Sequence, residues 1–327
     1  MDPTPFLCGN AFAGNEKVPY PRASIQDTFR LPFDTWMQAQ LPATVRLEIA
    51  GDAPEITIEY ETETEDLGYR GDGGGRTFAL WRYLKPVSEE KAVLGRGTVT
   101  LSMGSETDHR AIVYLPEGMR PRVLDVSPVG GSIEPAEPRK KWVCYGDSIV
   151  EGWIASGPAM CWPAIVAREN ALDVVNMGYA GSARGEIVSA EQIAGLAADV
   201  ISINHGTNCW TRIPHSVDQM RANTDAFIAV VRQGHPQTPI LVVSPIIRPD
   251  GEETANKLGA TLGDLRLAME EATRARIDAG DTNLQLVEGL PLMPAEQLGD
   301  GIHPNDEGHA TIARALGPML QQMAGAS

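Results

Sequence analysis

A serine, a histidine and an aspartate stand in this sequence where they could form a nucleophilic catalytic site. Ser148 follows Gly146-Asp147, directly after an apolar run at 142–145 that is typical of a strand buried on both faces. The carboxyl ends of parallel strands are where such sheets place their active sites, and the free amides of a following helix can hold a developing oxyanion. Ser148 is therefore a candidate nucleophile, with helix capping by Asp147 or Ser148 as the alternative interpretation.

A carboxylate and an imidazole lie close together near the C-terminus. Asp300 precedes His303 by three residues, in a loop framed by Gly301 and Pro304. A carboxylate can hold the Nδ1-H of a histidine while Nε2 takes the proton of a serine hydroxyl. In the competing interpretation, Asp300 caps a turn and His303 packs against the last helix. Together with Ser148 the pair favours an acyl-transfer site that requires neither a metal nor an organic cofactor.

Two further loops offer hydrogen-bond donors. The block at 176–181 ends in Gly181, whose backbone can approach a ligand closely and point its amide inward. The block at 204–208 ends in Asn208, which carries a side-chain amide. Each loop alone could be an ordinary turn. Four such loops at one sheet edge indicate a shared site.

The blocks at 146–149, 176–181, 206–208 and 300–303 occur in the order found in the SGNH (GDSL) hydrolase superfamily, which residues 140 to about 324 resemble. The resemblance implies a flavodoxin-like three-layer α/β fold with a parallel sheet. It further implies that Ser148 is the nucleophile, His303 the general base and acid, and Asp300 the orienting carboxylate. The oxyanion hole would comprise the amides of Ser148 and Gly181 and the side chain of Asn208.

One position departs from the family pattern. The third block of the family usually reads Gly-x-Asn-Asp, and here Cys209 follows Asn208. The departure implies that a supporting hydrogen bond is lost or rerouted while the oxyanion donor remains.

The elements that position these residues divide the chain into two parts. Apolar residues alternate with polar ones at 45–49, 56–60 and 99–103, which predicts short antiparallel strands. Beyond a Pro/Gly-rich stretch, apolar runs alternate with predicted helices at 162–170, 216–232, 254–279 and after 305, which predicts a parallel doubly wound sheet. We therefore expect a jelly-roll-like β-sandwich at 1–130, a linker at 131–139 and a catalytic domain at 140–327.

The whole chain also resembles a two-domain bacterial subset of that superfamily, in which a β-sandwich precedes the catalytic domain. The segments that carry this looser resemblance are 114–118, 151–156 and 161–164. The subset includes esterases and at least one type of acyltransferase.

Charge and composition exclude several classes of function. The chain has 327 residues and a formal net charge of -16, a field that repels nucleic acids and anionic membrane surfaces. No apolar run is long enough to span a membrane, and the N-terminus lacks a secretory pattern, so a cytoplasmic location is expected. The acidic balance favours an uncharged ester over a phosphorylated one.

The cysteines, Cys8, Cys144, Cys161 and Cys209, are too scattered for a metal site or a disulfide framework, and we expect buried thiols.

Several other residues are weaker candidates for the site. Trp153, Trp162 and Trp210 lie near the catalytic blocks and could line a substrate pocket, although tryptophan is often a core residue. His205 and His215 lack metal-ligand spacing, so a surface or supporting role is expected for them. We interpret Ser182 as a loop residue.

These features favour a serine esterase that acts on a small acyl ester through an acyl-enzyme on Ser148. An acyltransferase that passes the acyl group to an alcohol or sugar acceptor would use the same residues. The third alternative is a carbohydrate-binding protein whose catalytic domain is inactive. The sequence does not predict the oligomeric state.

Overall fold

The computed structural model describes residues 1–65, 75–105 and 109–325. Within these residues, the first part consists of short strands, one α-helix and three short 3-10 helices, joined by turns. The strands and the α-helix are β1 (Leu7–Cys8), α1 (Phe33–Ala39), β2 (Arg46–Gly51), β3 (Glu55–Thr62), β4 (Thr77–Arg82), β5 (Lys85–Lys91), β6 (Gly95–Ser102), β7 (Ala111–Tyr114), β8 (Pro121–Val129) and β9 (Ile133–Pro135).

The strands of this part form two antiparallel sheets. One has the order β1-β2-β7-β4-β5 with β9 paired to β2, and the other has the order β6-β3-β8. Leu47 and Ile49 of the first sheet and Ile56 and Ile58 of the second are buried in one apolar core. The alternation of apolar and polar residues thus directs one face of each sheet inward, and the predicted β-sandwich is confirmed.

Part of the stretch predicted as a linker is a strand of the sandwich. Ile133–Pro135 pairs antiparallel with β2, with Ile49 opposite Pro135 and Gly51 opposite Ile133. Ile133 is buried in the sandwich core. Its single apolar side chain, flanked by polar residues and Pro135, is too weak a periodic signal to distinguish this strand from a loop.

The second part alternates strands and helices. Its elements are β10 (Lys140–Gly146), α2 (Ser148–Glu151), α3 (Trp162–Glu169), β11 (Leu172–Gly178), α4 (Ile187–Gly195), β12 (Val200–Asn204), α5 (Thr207–Trp210), α6 (Val217–Gly234), β13 (Ile240–Val243), α7 (Pro249–Glu252), α8 (Leu262–Asp278), β14 (Leu284–Val287) and α9 (Asp306–Gly325).

The five strands β11-β10-β12-β13-β14 lie in that order and are all parallel. Alternate residues of β10 enter opposite cores: Val143 and Tyr145 pack on one face, and Trp142 and Cys144 on the other. A sheet that is covered on both faces confirms the predicted three-layer α/β fold. This strand order is that of doubly wound sheets. From β10 the chain first adds β11 on one side and then β12 on the other, so the order reverses at β10. Doubly wound sheets bind ligands at the carboxyl ends of the strands beside such a reversal.

The helix predicted from residue 254 begins later, at Leu262. Thr261 caps it, because its hydroxyl accepts from the Asp264 amide while the Asp264 carboxylate accepts from the Thr261 amide. This reciprocal capping box fixes the start of α8. Residues 254–260 form a loop before it.

The segment before the first long strand packs on the α/β part. Ala23, Leu31 and Ala39 are buried in the same core cluster as Val143 and Tyr145. Residues that the sequence assigns to the sandwich therefore contribute to the core beneath the predicted site.

Three of the four cysteines, Cys144, Cys161 and Cys209, are buried, and Cys8 is half-buried; all four are free. Within the described ranges, every helix is too short or too polar to cross a membrane.

Candidate active site

Ser148 begins α2, directly after the carboxyl end of β10. The Asp147 carboxylate caps this short helix by accepting a hydrogen bond from the Ile149 amide at 3.0 Å. Gly152 ends the helix with φ of 96°, a left-handed conformation that favours glycine. The single turn thus fixes the serine, and capping by Asp147 and a nucleophilic role for Ser148 are compatible with each other.

The C-terminal loop brings His303 to this serine. His303 Nε2 lies 2.8 Å from Ser148 Oγ, and His303 Nδ1 lies 2.7 Å from Asp300 Oδ2. The second oxygen of Asp300 accepts from the amides of Ile302 at 3.0 Å and His303 at 2.7 Å. The carboxylate therefore holds both the backbone of the loop and the imidazole ring, as a serine–histidine–aspartate relay requires.

The protonation states suit such a relay. Burial lowers the pKa of His303 below its ordinary 6.5; Asp300 opposes this change, and the charge of Arg248 adds to it. Burial acts to raise the pKa of Asp300, but hydrogen bonds from His303 outweigh it and hold this pKa below 3.8. At neutral pH the imidazole is thus uncharged and able to accept a proton, while the carboxylate is ionised.

The loop after β11 carries Gly181 to the same sheet edge. Asn176 anchors this loop to α2, since its side chain donates to Val150 O at 2.8 Å and accepts from the Gly178 amide at 2.8 Å. Gly178 must remain glycine, because a Cβ there would lie 2.3 Å from the backbone nitrogen of Glu151. The two glycines of this block thus have different uses: Gly178 allows α2 to approach closely, and Gly181, with φ of +67°, turns the chain at the site.

Asn208 lies on α5, after β12, and is almost fully buried. One hydrogen of its side-chain amide is donated to the Ser182 carbonyl, which leaves the second without a partner among the described residues. The next residue, Cys209, points its thiol towards the Arg184 carbonyl, 3.8 Å away. Burial raises the pKa of this thiol, which stays protonated.

Ser148, Gly181, Asn208 and His303 all line one cavity of about 320 Å³. The structure thus brings the four sequence blocks together. Trp153 also lines this cavity, and its ring centroid lies 6.0 Å from that of His303.

The other two tryptophans lie elsewhere. Trp162 is buried beside Trp142 in the core of the α/β domain, with ring centroids 5.4 Å apart, and this position is incompatible with lining the pocket. It begins α3 and points into the core, because α3 covers the sheet face that contains Trp142. Trp210 does not line the cavity but lies behind a lining residue, with the Arg248 guanidinium 4.7 Å above its ring.

Three further candidates, His205, His215 and Ser182, lie outside the cavity lining. His205 is buried between the rings of Tyr145 and Phe227, and burial lowers its pKa to about 4. His215 is half-buried. Ser182 is a buried loop residue whose hydroxyl contacts that of Thr35.

Four residues that line the cavity belong to none of the sequence blocks, namely Gln38, Thr211, Arg212 and Arg248. Arg248 follows the carboxyl end of β13, a position that parallel-sheet topology makes a candidate. Gln38 comes from the N-terminal segment, over a hundred positions before the first of the four catalytic blocks, and no local pattern indicates it.

Comparisons with known proteins agree with this architecture. A model of the GDSL-like lipase/acylhydrolase family matches residues 139–321, more than half of the chain. Among curated protein sequences, none matches significantly.

Several solved structures share the fold of the chain. A candidate GDSL-like lipase from Bacteroides ovatus is 22% identical, with a TM-score of 0.81 over 98% of this chain and 95% of its own. The salicylyl-acyltransferase SsfX3 of a tetracycline biosynthetic pathway is also 22% identical, with a TM-score of 0.81 over 98% of this chain and 94% of its own. A family two carbohydrate esterase from Clostridium thermocellum, solved with cellohexaose, is 18% identical, with a TM-score of 0.65 over 86% and 92%. On the match of the family model, and as the sequence blocks predict, the chain belongs to the GDSL-like lipase/acylhydrolase family.

Proposed function

We propose that this protein is a serine esterase that cleaves a small carboxylic ester through an acyl-enzyme on Ser148. The observation that carries the proposal is the unbroken chain of contacts from Ser148 Oγ to His303 Nε2, at 2.8 Å, and from His303 Nδ1 to Asp300, at 2.7 Å. Membership of the GDSL-like lipase/acylhydrolase family supports acyl hydrolysis or acyl transfer as the general activity.

In the proposed reaction, Ser148 Oγ forms a bond to the ester carbonyl carbon while its proton passes to His303 Nε2. Asp300 stabilises the imidazolium that results. Collapse of the tetrahedral intermediate breaks the ester C–O bond, and His303 returns the proton to the leaving alcohol. Water then repeats the sequence on the acyl-enzyme and releases the acid.

The oxyanion of each intermediate would accept hydrogen bonds from the amides of Ser148 and Gly181 and from the Asn208 side chain. All three residues line the cavity that contains Ser148 Oγ. Loss of one such donor typically raises the barrier by about 3 to 4 kcal/mol.

The test is the hydrolysis of para-nitrophenyl esters of increasing chain length, set beside acetylated sugars. We expect Ser148→Ala to lower kcat by about four to six orders of magnitude and Asp300→Asn by about four, because the asparagine favours the wrong imidazole tautomer. Ser127→Ala, which removes a hydroxyl in the sandwich, serves as the control. Substantial turnover by Ser148→Ala would exclude Ser148 as the nucleophile.

Labelling by a fluorophosphonate probe tests the nucleophile independently of the substrate. The native chain and Ser127→Ala should be labelled, and Ser148→Ala should not. A folded native chain that resists labelling would favour the third alternative, a carbohydrate-binding protein without activity.

The second candidate is an acyltransferase. The observation that favours it is the similarity in fold to the salicylyl-acyltransferase along 98% of this chain, sandwich included. A transferase would hold an acceptor alcohol against the acyl-enzyme in place of water. Ester product that increases with acceptor concentration would support transfer, whereas free acid as the sole product at every concentration would support hydrolysis.

A further inference from the structure

The cavity that contains Ser148 has an unexpected charge. Two arginines, Arg212 and Arg248, line it, and the described lining residues include neither aspartate nor glutamate. Arg248 is paired with Asp250, whereas Arg212 has no carboxylate partner among the described residues and adds an uncompensated positive charge to a chain whose formal net charge is -16. The charge of the cavity therefore favours an anionic ester, whereas the net charge of the chain favours an uncharged one.

Arg212 is exposed and lies on the oxyanion side of the cavity. A Cβ added to Gly181 would lie 3.2 Å from Arg212 Nη1, so the guanidinium sits over the α-carbon of the proposed oxyanion donor. Within the described ranges, its side chain has neither an ion-pair partner within 4.0 Å nor a hydrogen bond. Its five donors are thus available to a ligand.

Arg248 lies on the histidine side, and its position is fixed. Its Nε and Nη2 donate to Asp250 at 2.8 and 3.1 Å, and its guanidinium lies over the Trp210 ring. This leaves Nη1 without a hydrogen bond to any described residue. The side chain is only 10% exposed, so the cationic group is held in place before any substrate binds.

We propose that the substrate of this site is an ester that carries an anionic group, a carboxylate or a phosphate, held by Arg212 with support from Arg248. The inference deepens the proposed esterase function and rests on it. Guanidinium groups bind both anions in a planar, bidentate manner, more strongly than they bind neutral acceptors. A cavity of about 320 Å³ lies at the small end of ligand pockets, which suits a compact acyl ester rather than a long-chain lipid.

Matched substrates of the full-length protein test the inference. Para-carboxyphenyl acetate and para-phosphonooxyphenyl acetate place each anion on the leaving group, and para-carbamoylphenyl acetate is their neutral counterpart. Para-nitrophenyl hydrogen succinate places a carboxylate on the acyl group, and its methyl ester is the neutral counterpart. We expect kcat/KM to be about 10- to 100-fold higher for at least one anionic ester than for its neutral counterpart.

The variant Arg212→Gln should reduce that ratio by about tenfold or more, and the ratio should also fall as salt is added. The control is Arg314→Gln, which removes another exposed arginine that has no carboxylate partner among the described residues, on α9 and outside the cavity lining. It should leave the ratio unchanged. The preferred member of the series identifies the anion and the part of the ester that carries it.

Two results would overturn the inference while the esterase function stands. One is equal or better turnover of the neutral esters. The other is an equal loss on every ester in Arg212→Gln, which would make Arg212 a general stabiliser of the oxyanion. Failure of the proposed function has a different signature: no ester is turned over, and Ser148 is not labelled by a fluorophosphonate.

Discussion

The charge of a single residue, Arg248, bears directly on the protonation of His303. Burial, the largest influence, lowers the pKa of this imidazole, and the guanidinium lowers it further because two positive charges repel. A proton-accepting His303 must be uncharged. The native enzyme should therefore lose kcat/KM on the acid side, with the midpoint below pH 6.5.

Replacement of this arginine should move that acid limb. In Arg248→Gln the positive charge is gone, so the pKa of His303 rises and the limb shifts to higher pH. The measurement is kcat/KM against pH with a neutral para-nitrophenyl ester, so that binding of an anion does not contribute. The control Arg314→Gln should keep the native profile; an unmoved limb in Arg248→Gln, or a limb moved to lower pH, would contradict the role assigned to this charge.

Individual site residues can be predicted from the sequence where they belong to a short sequence block, and they cannot be predicted where they do not. Ser148, Asp300 and His303 form short blocks whose chemistry is readable in one dimension. Arg212 and Gln38 belong to no such block and reach the cavity only through folding. Trp162 shows the converse error, since a large side chain near a motif is as well suited to a core as to a pocket.

Among the elements, α2 carries the proposed nucleophile and also affects how the stability of the fold depends on pH. Its cap, Asp147, is buried, and burial raises the pKa of the carboxyl group to about 6 from an ordinary 3.8, although hydrogen bonds from Ile149 and Thr207 oppose the change. The folded state therefore holds this proton more tightly than the unfolded state. Its contribution to stability is complete below pH 3.8 and is lost as the pH rises through 6.

The variant Asp147→Asn should not lose stability in this way as the pH rises. Asparagine caps helices as well as aspartate does and cannot ionise. Ionisation of Asp147 costs up to about 3 kcal/mol, of which about half develops between pH 5 and pH 8. Urea unfolding at these two pH values should show the variant gaining stability relative to the native protein by about 1 to 2 kcal/mol. The replacement Asp218→Asn, at an exposed position, should show no such gain. If Asp147→Asn is less stable relative to the native protein at pH 8 than at pH 5, the assignment is wrong.

The elements themselves were predictable where their periodicity was strong. The strands at the centre of the parallel sheet are short apolar runs, and four sandwich residues alternate inward from β2 and β3. The start of α8 was misplaced by eight positions, because a helical pattern without attention to the Thr261–Asp264 capping box does not locate a terminus. Strand β9 escaped notice because pairing with β2 is a long-range event.

For the molecule as a whole, the N-terminal segment supports the loop that carries Gly181. Arg22 is buried, donates to the Gly178 carbonyl and lies 3.4 Å from the carboxylate of Glu151. Asp34 binds Arg184 through two hydrogen bonds of 3.0 and 3.1 Å, and Arg184 in turn donates to the Gly181 carbonyl at 3.3 Å. The sequence could not reveal this support, since about 150 residues separate the partners.

The variant Asp34→Asn tests whether this support reaches the chemistry. Arg184 would lose its bidentate partner and be free to turn towards Glu186, whose carboxylate lies 3.7 Å away. The Gly181 carbonyl would then be held less firmly, and its amide would point less accurately at the oxyanion. Because the proposed role of that amide is to stabilise the transition state, we expect kcat to fall by about tenfold with little change in KM.

The control is Asp225→Asn, which removes an exposed aspartate paired with an arginine, Arg276, at 2.7 Å on the far elements α6 and α8. An exposed pair such as Asp225–Arg276 contributes about 0 to 1 kcal/mol to stability, whereas Asp34→Asn leaves the buried Arg184 guanidinium with less compensation and should lower the melting temperature. Activity is therefore compared well below the melting temperature of each variant. A selective loss of kcat in Asp34→Asn would then reflect geometry at the oxyanion loop. Equal losses in both variants, or a rise in KM with kcat preserved, would show that the N-terminal segment serves stability or binding and leaves the reaction itself to the α/β domain.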